Sequence, residues 1–226
     1  TGTMNPDFGQ VEADPAVVNL SGFETFFPEK RPFFVEGSGT FSFNIDCEDD
    51  SCTGLFYSRR IGRTPHRFVP APQGGFSSAP DHTTILGAGK LTGRVGKFSV
   101  GAINAITSRE DATLSTAGVR SKTPVEPGTS YSIVRANREF ANQSRLGFMA
   151  TSTNRRLADE LRFLPANAYT GGMDFDLRLG SRYNIGGYWA GSSVQGSADA
   201  IAGIQQSTVH SYQRPDAESF HYDPTD

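Results

Sequence analysis

Between Thr84 and Ser193, apolar and polar residues alternate along the chain, and this constrains the fold more than any other feature. From Tyr169 to Leu179, Tyr169, Gly171, Met173, Phe175, Leu177 and Leu179 fall on one side. Thr170, Gly172, Asp174, Asp176 and Arg178 fall on the other. A period of two with one apolar and one charged side describes a β-strand between two different solvents. The next stretch repeats it, with Tyr183, Ile185, Gly187, Trp189 and Gly191 opposed to Asn184, Gly186, Tyr188, Ala190 and Ser192.

Four more strands are expected upstream. In Thr84–Arg94, Ile85, Gly87, Gly89, Leu91 and Gly93 alternate with Leu86, Ala88, Lys90, Thr92 and Arg94. Phe98–Ser108 carries Phe98, Val100, Ala102 and Ile106 on one face. Thr129–Glu139 has the weakest pattern, with Arg135 and Arg138 on opposite faces. Arg145–Asn154 aligns Leu146, Phe148 and Ala150. Short turns fall near 95, 142 and 181, and long connections at 109–128, 155–167 and 194–217. The last contains a stretch of helical composition, Ser197 to Gln206, with a serine cap. Short turns at one end and long loops at the other, joining strands long enough to cross a bilayer at a tilt, mark an up-and-down outer-membrane barrel. Soluble sandwich strands are shorter. The fold expected is therefore all-β: part of an antiparallel up-and-down outer-membrane β-barrel. A soluble meander or sandwich is the alternative.

Composition agrees. Hydrophobic residues make up 36% of the chain, too few for a helical membrane protein, and no apolar run approaches the roughly 20 residues of a spanning helix. Barrel strands alternate and dilute that signal, so a barrel stays open. The net charge of −3 argues against a general nucleic-acid binder. Thr1 opens directly into strand-like sequence without a signal peptide. Phe220–Asp226 resembles the lead-in to a further strand, so both ends are expected to be cut points in a longer protein.

Residues 1–83 differ in character from residues 84–226, although both are expected to belong to one barrel domain. Met4 to Glu12 has strand composition, with Pro6 restricting it to an edge or end. Asn19 to Phe27 suits a short helix with Ser21 as cap and Glu24 three residues on. Pro28 and Pro32 should then interrupt it. Phenylalanines and charges crowd this region. Its irregular backbone would be unsatisfied in lipid, so it must pack on protein or inside a lumen. Residues 38–83 read as loops around one short strand, Leu55 to Gly62. Cys47 and Cys52 in an acidic loop read as a local disulfide, which needs an oxidising compartment. A zinc site would need two more ligands nearby.

Several long runs carry a family resemblance. Asn5-Pro6-Asp7-Phe8-Gly9-Gln10-Val11-Glu12-Ala13-Asp14-Pro15, Phe23-Glu24-Thr25-Phe26-Phe27-Pro28-Glu29-Lys30-Arg31-Pro32-Phe33-Phe34-Val35-Glu36-Gly37 and Leu55-Phe56-Tyr57-Ser58-Arg59-Arg60-Ile61-Gly62-Arg63 resemble a bacterial family known as domain of unknown function number 5916. Ile85 to Gly93 and Tyr212 to Asp216 extend the match over nearly the whole chain. Members usually follow a carbohydrate-binding family-nine-like module. The resemblance implies an outer-membrane β-barrel region in a Gram-negative-type bacterium. It implies no catalytic residues, because the family has no established activity.

The best candidate site is a lumenal ion-pair cluster. In it Glu12, Asp14, Glu24, Glu29 and Glu36 pair with Lys30, Arg31, Arg59, Arg60 and Arg63, among stacked phenylalanines. Such a cluster acts either as a transport gate or as a structural knot. Tyr169, Met173, Phe175, Leu177, Leu179, Ile185 and Trp189 are the expected lipid-facing residues. Asp46, Glu48, Asp49 and Asp50 offer carboxylates for calcium, but their spacing is not that of an EF-hand, and a solvated acidic loop accounts for them. Asp174 and Asp176 share a strand face; on a barrel strand they are lumen-facing polar residues rather than a glycosidase pair. The four histidines lack metal spacing and Ser58 lacks a nucleophile elbow. No enzyme activity and no cofactor are expected. The expected partners are the lipid bilayer and carbohydrate or cell-surface proteins, with no nucleic acid, and the expected role is transport of, or surface anchoring for, carbohydrate-related ligands. The alternative is a soluble or surface carbohydrate-binding β-domain with Trp189 and Tyr188 as its aromatic platform.

Overall fold

The computed structural model describes residues 1–4, 26–48, 51–180 and 182–207, with the side chains of 46–48 and 51–53 outside the description. The expected strand at Met4–Glu12, helix at Asn19–Phe27 and lead-in at Phe220–Asp226 lie wholly or largely beyond it.

One seven-stranded antiparallel sheet dominates. Its spatial order is β1 (Gly2–Met4), β5 (Ile85–Val95), β6 (Phe98–Thr107), β9 (Gly128–Glu139), β10 (Arg145–Arg156), β11 (Asn167–Leu179) and β12 (Tyr183–Gln195). The six long strands lie where the alternation placed them. Their short turns, at Gly96, Gln143 and Gly180 with φ of 62°, 62° and 67°, sit at one end. The sheet is open, with β1 and β12 at its edges. No closed barrel forms among the described residues. No helix among them is long and apolar enough to cross a membrane.

Three expectations are corrected. The connection at 109–128 is largely a hairpin, β7 (Glu110–Thr116) and β8 (Val119–Glu126), which joins β4 (Gly75–Ser78) in a separate three-stranded sheet. Ala117 and Gly118 turn it with φ of 49° and 81°, the double left-handed geometry of a tight hairpin. Residues 38–83 are not only loop: they also hold a 3-10 turn at Ser38–Phe41 and the hairpin β2 (Asn44–Glu48) and β3 (Ser51–Gly54). Leu55 to Gly62 is not a strand but contains a 3-10 turn at Ser58–Arg60. Pro32 opens α1 (Pro32–Val35) at the first position, where its missing N–H costs nothing.

A register shift between Ile85 and Gly87 also interrupts the first long strand. It turns Ile85 to the buried side, while Leu91 beyond it faces outward. The core lies on one side of the large sheet. Phe33, Phe34, Phe41, Phe43 and Ile61 from the N-terminal layer pack on Ile85, Ala88, Ile103, Ala105, Tyr131, Ile133 and Met149. Each buried phenylalanine contributes roughly 1.5–3 kcal/mol. This covered side is the inner face, and the opposite side is the outer face. The expected helix in the last connection is α2 (Ala198–Gln205), capped by Ser197, whose Oγ accepts from the Ala200 N–H at 3.2 Å.

Candidate functional site

The inner face carries charge at its centre. Arg135 on β9 is 0% exposed and donates two hydrogen bonds to the Asp174 carboxylate on β11, at 2.5 and 2.9 Å. Both strands flank β10, whose Gly147 pairs in register with Asn137 and Asp174. A Cβ on Gly147 would lie 2.6 Å from Asn137 Oδ1 and 2.7 Å from an Arg135 nitrogen, so only glycine leaves room for the pair. Arg145 approaches the same carboxylate at 3.6 Å from a half-exposed position. The Arg135 guanidinium also lies 5.1 Å from the Phe43 ring centre, a cation–π contact.

Two more inward glycines act as sockets for the layer. A Cβ on Gly172 would meet Phe43 at 2.8 Å, and one on Gly101 would meet Phe41 at 2.8 Å. Lys90, buried on β5, donates from Nζ to the carbonyls of Phe33 and Glu36 at the end of α1. A cation there satisfies carbonyls that a helix end leaves open.

The layer is knotted to itself by Glu29 and Arg31. Arg31 donates from Nε and a terminal nitrogen to Glu29 at 2.8 and 2.7 Å, and reaches the carbonyls of Ile61 and Ser58 at 2.6 and 2.9 Å. Ser58 Oγ donates to Glu29 at 2.6 Å. Burial pushes the Glu29 carboxyl up, but the hydrogen bonds from Arg31 and Ser58 and the Arg31 charge outweigh it and hold it below its ordinary value.

The expected ion-pair cluster is thus only partly assembled in the described residues. Glu29 and Arg31 pair. Arg59 donates to the Pro28 carbonyl at 2.9 Å and lies over Phe27. Glu36 contributes its backbone carbonyl, and Arg63 accepts from Thr83 through its own. Lys30 and Arg60 are also engaged. Glu12, Asp14 and Glu24 lie outside the description. Sequence reasoning did not include Lys90 and Arg135 in the cluster; their inward places in alternating strands were the available signal. It also missed His66 with Glu126. The nearly fully buried Glu126 carboxylate accepts from the His66 backbone N–H at 2.9 Å and lies 2.6 Å from its Nδ1.

Cys47 and Cys52 are direct register partners in the β2–β3 hairpin. Their side chains lie outside the description, and no disulfide is present among the described residues. Asp46 and Glu48 stand on the same hairpin, Asp49 and Asp50 are undescribed, and no group of metal-ligating side chains occurs among the described residues. Asp174 is held by Arg135, with Asp176 two residues further along the same strand face.

On the outer face stand Tyr169, Met173, Leu177, Leu179, Ile185 and Trp189, all substantially exposed, with Phe175 partly covered. Trp189 is 71% exposed. Phe175 lies over Gly187, where a Cβ would meet its ring at 2.8 Å. Leu91, Val134, Leu146 and Phe148 continue the apolar surface across the sheet. Tyr188 lies on the inner face against Phe43, so Trp189 and Tyr188 do not form one platform.

Fold and site together define an all-β protein with an antiparallel meander whose charged inner face is covered by the chain's own N-terminal layer. No curated protein and no solved structure matches the chain. The family model described as "Domain of unknown function (DUF5916)" matches residues 2–219. The chain belongs to that family.

Proposed function

We propose that the chain forms part of an outer-membrane β-barrel, with the outer face toward lipid and the N-terminal layer on the lumenal side. The supporting observation is the apolar face that the sheet leaves uncovered. Phe148, Met173, Leu177 and Trp189 are exposed, while the covered face buries Arg135, Asp174 and Lys90 within its apolar core. A water-soluble antiparallel sheet with one covered face turns polar residues to the other. Contiguous apolar surface of this kind marks a membrane or protein contact.

The dimensions agree. Leu179 to Tyr169 spans roughly 33 Å along the strand, which at a tilt of about 40° becomes about 25 Å, the height of a barrel's apolar band. Toward the long connections the band gives way to rows of Asn104, Ser132 and Ser152, then Ser130, Asn154 and Asn167, aligned by register. Lumen-directed charges need partners, and the Arg135–Asp174 pair and the Lys90 cap supply them. Transport of carbohydrate-related ligands, or surface anchoring for a module that binds them, is the role we assign, on the resemblance given above. The tied state of Arg31 and Lys90 favours the layer as a fixed filler over a freely moving gate.

The test uses Trp189. Reconstituted protein is exposed to acyl-chain-brominated phosphatidylcholine, and the quenching absent from a Trp189→Phe variant is assigned to this residue. Strong quenching supports lipid contact. Emission insensitive to brominated chains, in protein that folds without detergent, would sink the barrel reading.

A further inference from the structure

Among the described residues, the outer face holds one cation where the apolar band meets the short turns. Arg138 lies at the end of β9, flanked in register by Phe98 on β6 and Leu146 on β10. Its guanidinium lies 5.5 Å from the Phe98 ring centre and 4.7 Å from that of Phe140. Both rings are themselves partly exposed. Among the described residues Arg138 has no carboxylate within ion-pair distance, and its buried Nε has no hydrogen-bond partner. An unpaired charge beside apolar surface is unfavourable unless an anion completes it.

The surroundings indicate which anion. The turn segments at this end, 95–98, 140–144 and 180–182, contain Lys97 and Arg182, and the adjoining Glu139 stands on the inner side of β9, opposite Arg145 in register. Lys97 and Arg182 are exposed. Cations therefore rim the apolar band on this side, with aromatic rings beneath Arg138. A free anion needs only charge, but a ligand that gains from both the rings and the cations carries an acyl chain below a phosphate.

We infer that Arg138, framed by Phe98 and Phe140 and supported by Lys97 next to Phe98, binds the phosphate of an anionic phospholipid in the leaflet at the short-turn side. The acyl chains lie along Val95, Phe98 and Leu146, and the phosphate accepts hydrogen bonds from the guanidinium. The inference rests on the membrane reading above. It goes beyond that reading by naming the headgroup class and the residues that select it. Each basic residue near an anionic surface changes affinity about fivefold.

The experiment measures competition between spin-labelled phosphatidylglycerol and phosphatidylcholine at the boundary of the reconstituted full protein. The wild type is expected to prefer phosphatidylglycerol. Arg138→Gln lowers that preference about fivefold, Arg138→Lys largely keeps it, and Lys97→Gln/Arg138→Gln lowers it about twenty-five-fold. Excess inorganic phosphate leaves the preference unchanged; if it abolishes the preference, the site is one for free phosphate and the lipid assignment is overturned. Absence of preference in the wild type, or an unaltered preference in Arg138→Gln, also overturns it. Trp189 quenching in the same samples separates the two readings. Quenched Trp189 without lipid preference removes the headgroup site alone, and unquenched Trp189 removes both.

Discussion

Asp174→Asn tests the centre of the inner face. The carboxylate makes two charge-assisted hydrogen bonds, at 2.5 and 2.9 Å, to an arginine that is 0% exposed. Arg145 lies at 3.6 Å and is half exposed, so its contribution is under about 1 kcal/mol. Breaking a buried pair on one side costs about 3–5 kcal/mol, because the remaining charge keeps its desolvation penalty. Asparagine retains one acceptor, and Phe43 still faces the guanidinium, which places the expected loss near 3 kcal/mol. Urea unfolding in detergent, followed by Trp189 emission, should show the midpoint falling by roughly 1–3 M with an unchanged slope. Arg135→Met/Asp174→Leu should recover most of the loss, since an apolar pair of similar volume is close to neutral. A midpoint shift under about 0.3 M for Asp174→Asn, or a double variant weaker than the single one, would refute the buried-pair account.

Three further outcomes are expected. Gly172→Leu should expel Phe43 from its socket, costing about 1–3 kcal/mol and speeding proteolysis of residues 26–61, whereas Gly93→Ala, which meets nothing within 4 Å, should leave proteolysis unchanged. Glu29 has a lowered folded pKa, so its contribution to stability is fully present above its ordinary value of 4.5 and is lost as pH falls through the folded value. An acid titration of unfolding should therefore be less steep in Glu29→Gln than in the wild type. Ala117→Asn should stabilise the β7–β8 hairpin by about 0.5–1 kcal/mol, because asparagine tolerates the left-handed φ that alanine resists; slower amide exchange across the hairpin is the readout.

The six long strands were legible because both of their faces meet a defined surrounding, so every second residue reports it. The β7–β8 hairpin was not, because it leaves the main sheet. Arg120, Ser121 and Lys122 at its outer end are exposed, and burial is confined to its base at Ala112, Val125 and Glu126. The shift at Ile85 was invisible for a related reason: one extra residue reverses the phase without altering composition. The Arg135–Asp174 pair joins residues 39 apart on strands that are not neighbours. It becomes visible only once β10 is placed between them and Gly147 is seen to clear the space.

The described part of the ion-pair cluster shows a second use for its cations. Counting acids and bases in residues 12–63 led to an expectation of carboxylate partners for every cation. An irregular layer on a sheet has a further need, because its carbonyls have no ladder N–H groups to donate to them. Lys90 serves Phe33 and Glu36, Arg31 serves Ser58 and Ile61 as well as Glu29, and Arg59 serves Pro28. Asn137 reaches toward Thr40 in the same way. Many of the cations therefore stand in for missing backbone donors, and the layer is held by them as much as by its phenylalanines. A gate built from ion pairs opens when charge is rearranged. A layer held through its backbone carbonyls is released by withdrawing these donors, so Lys90 and Arg31 bear directly on its attachment.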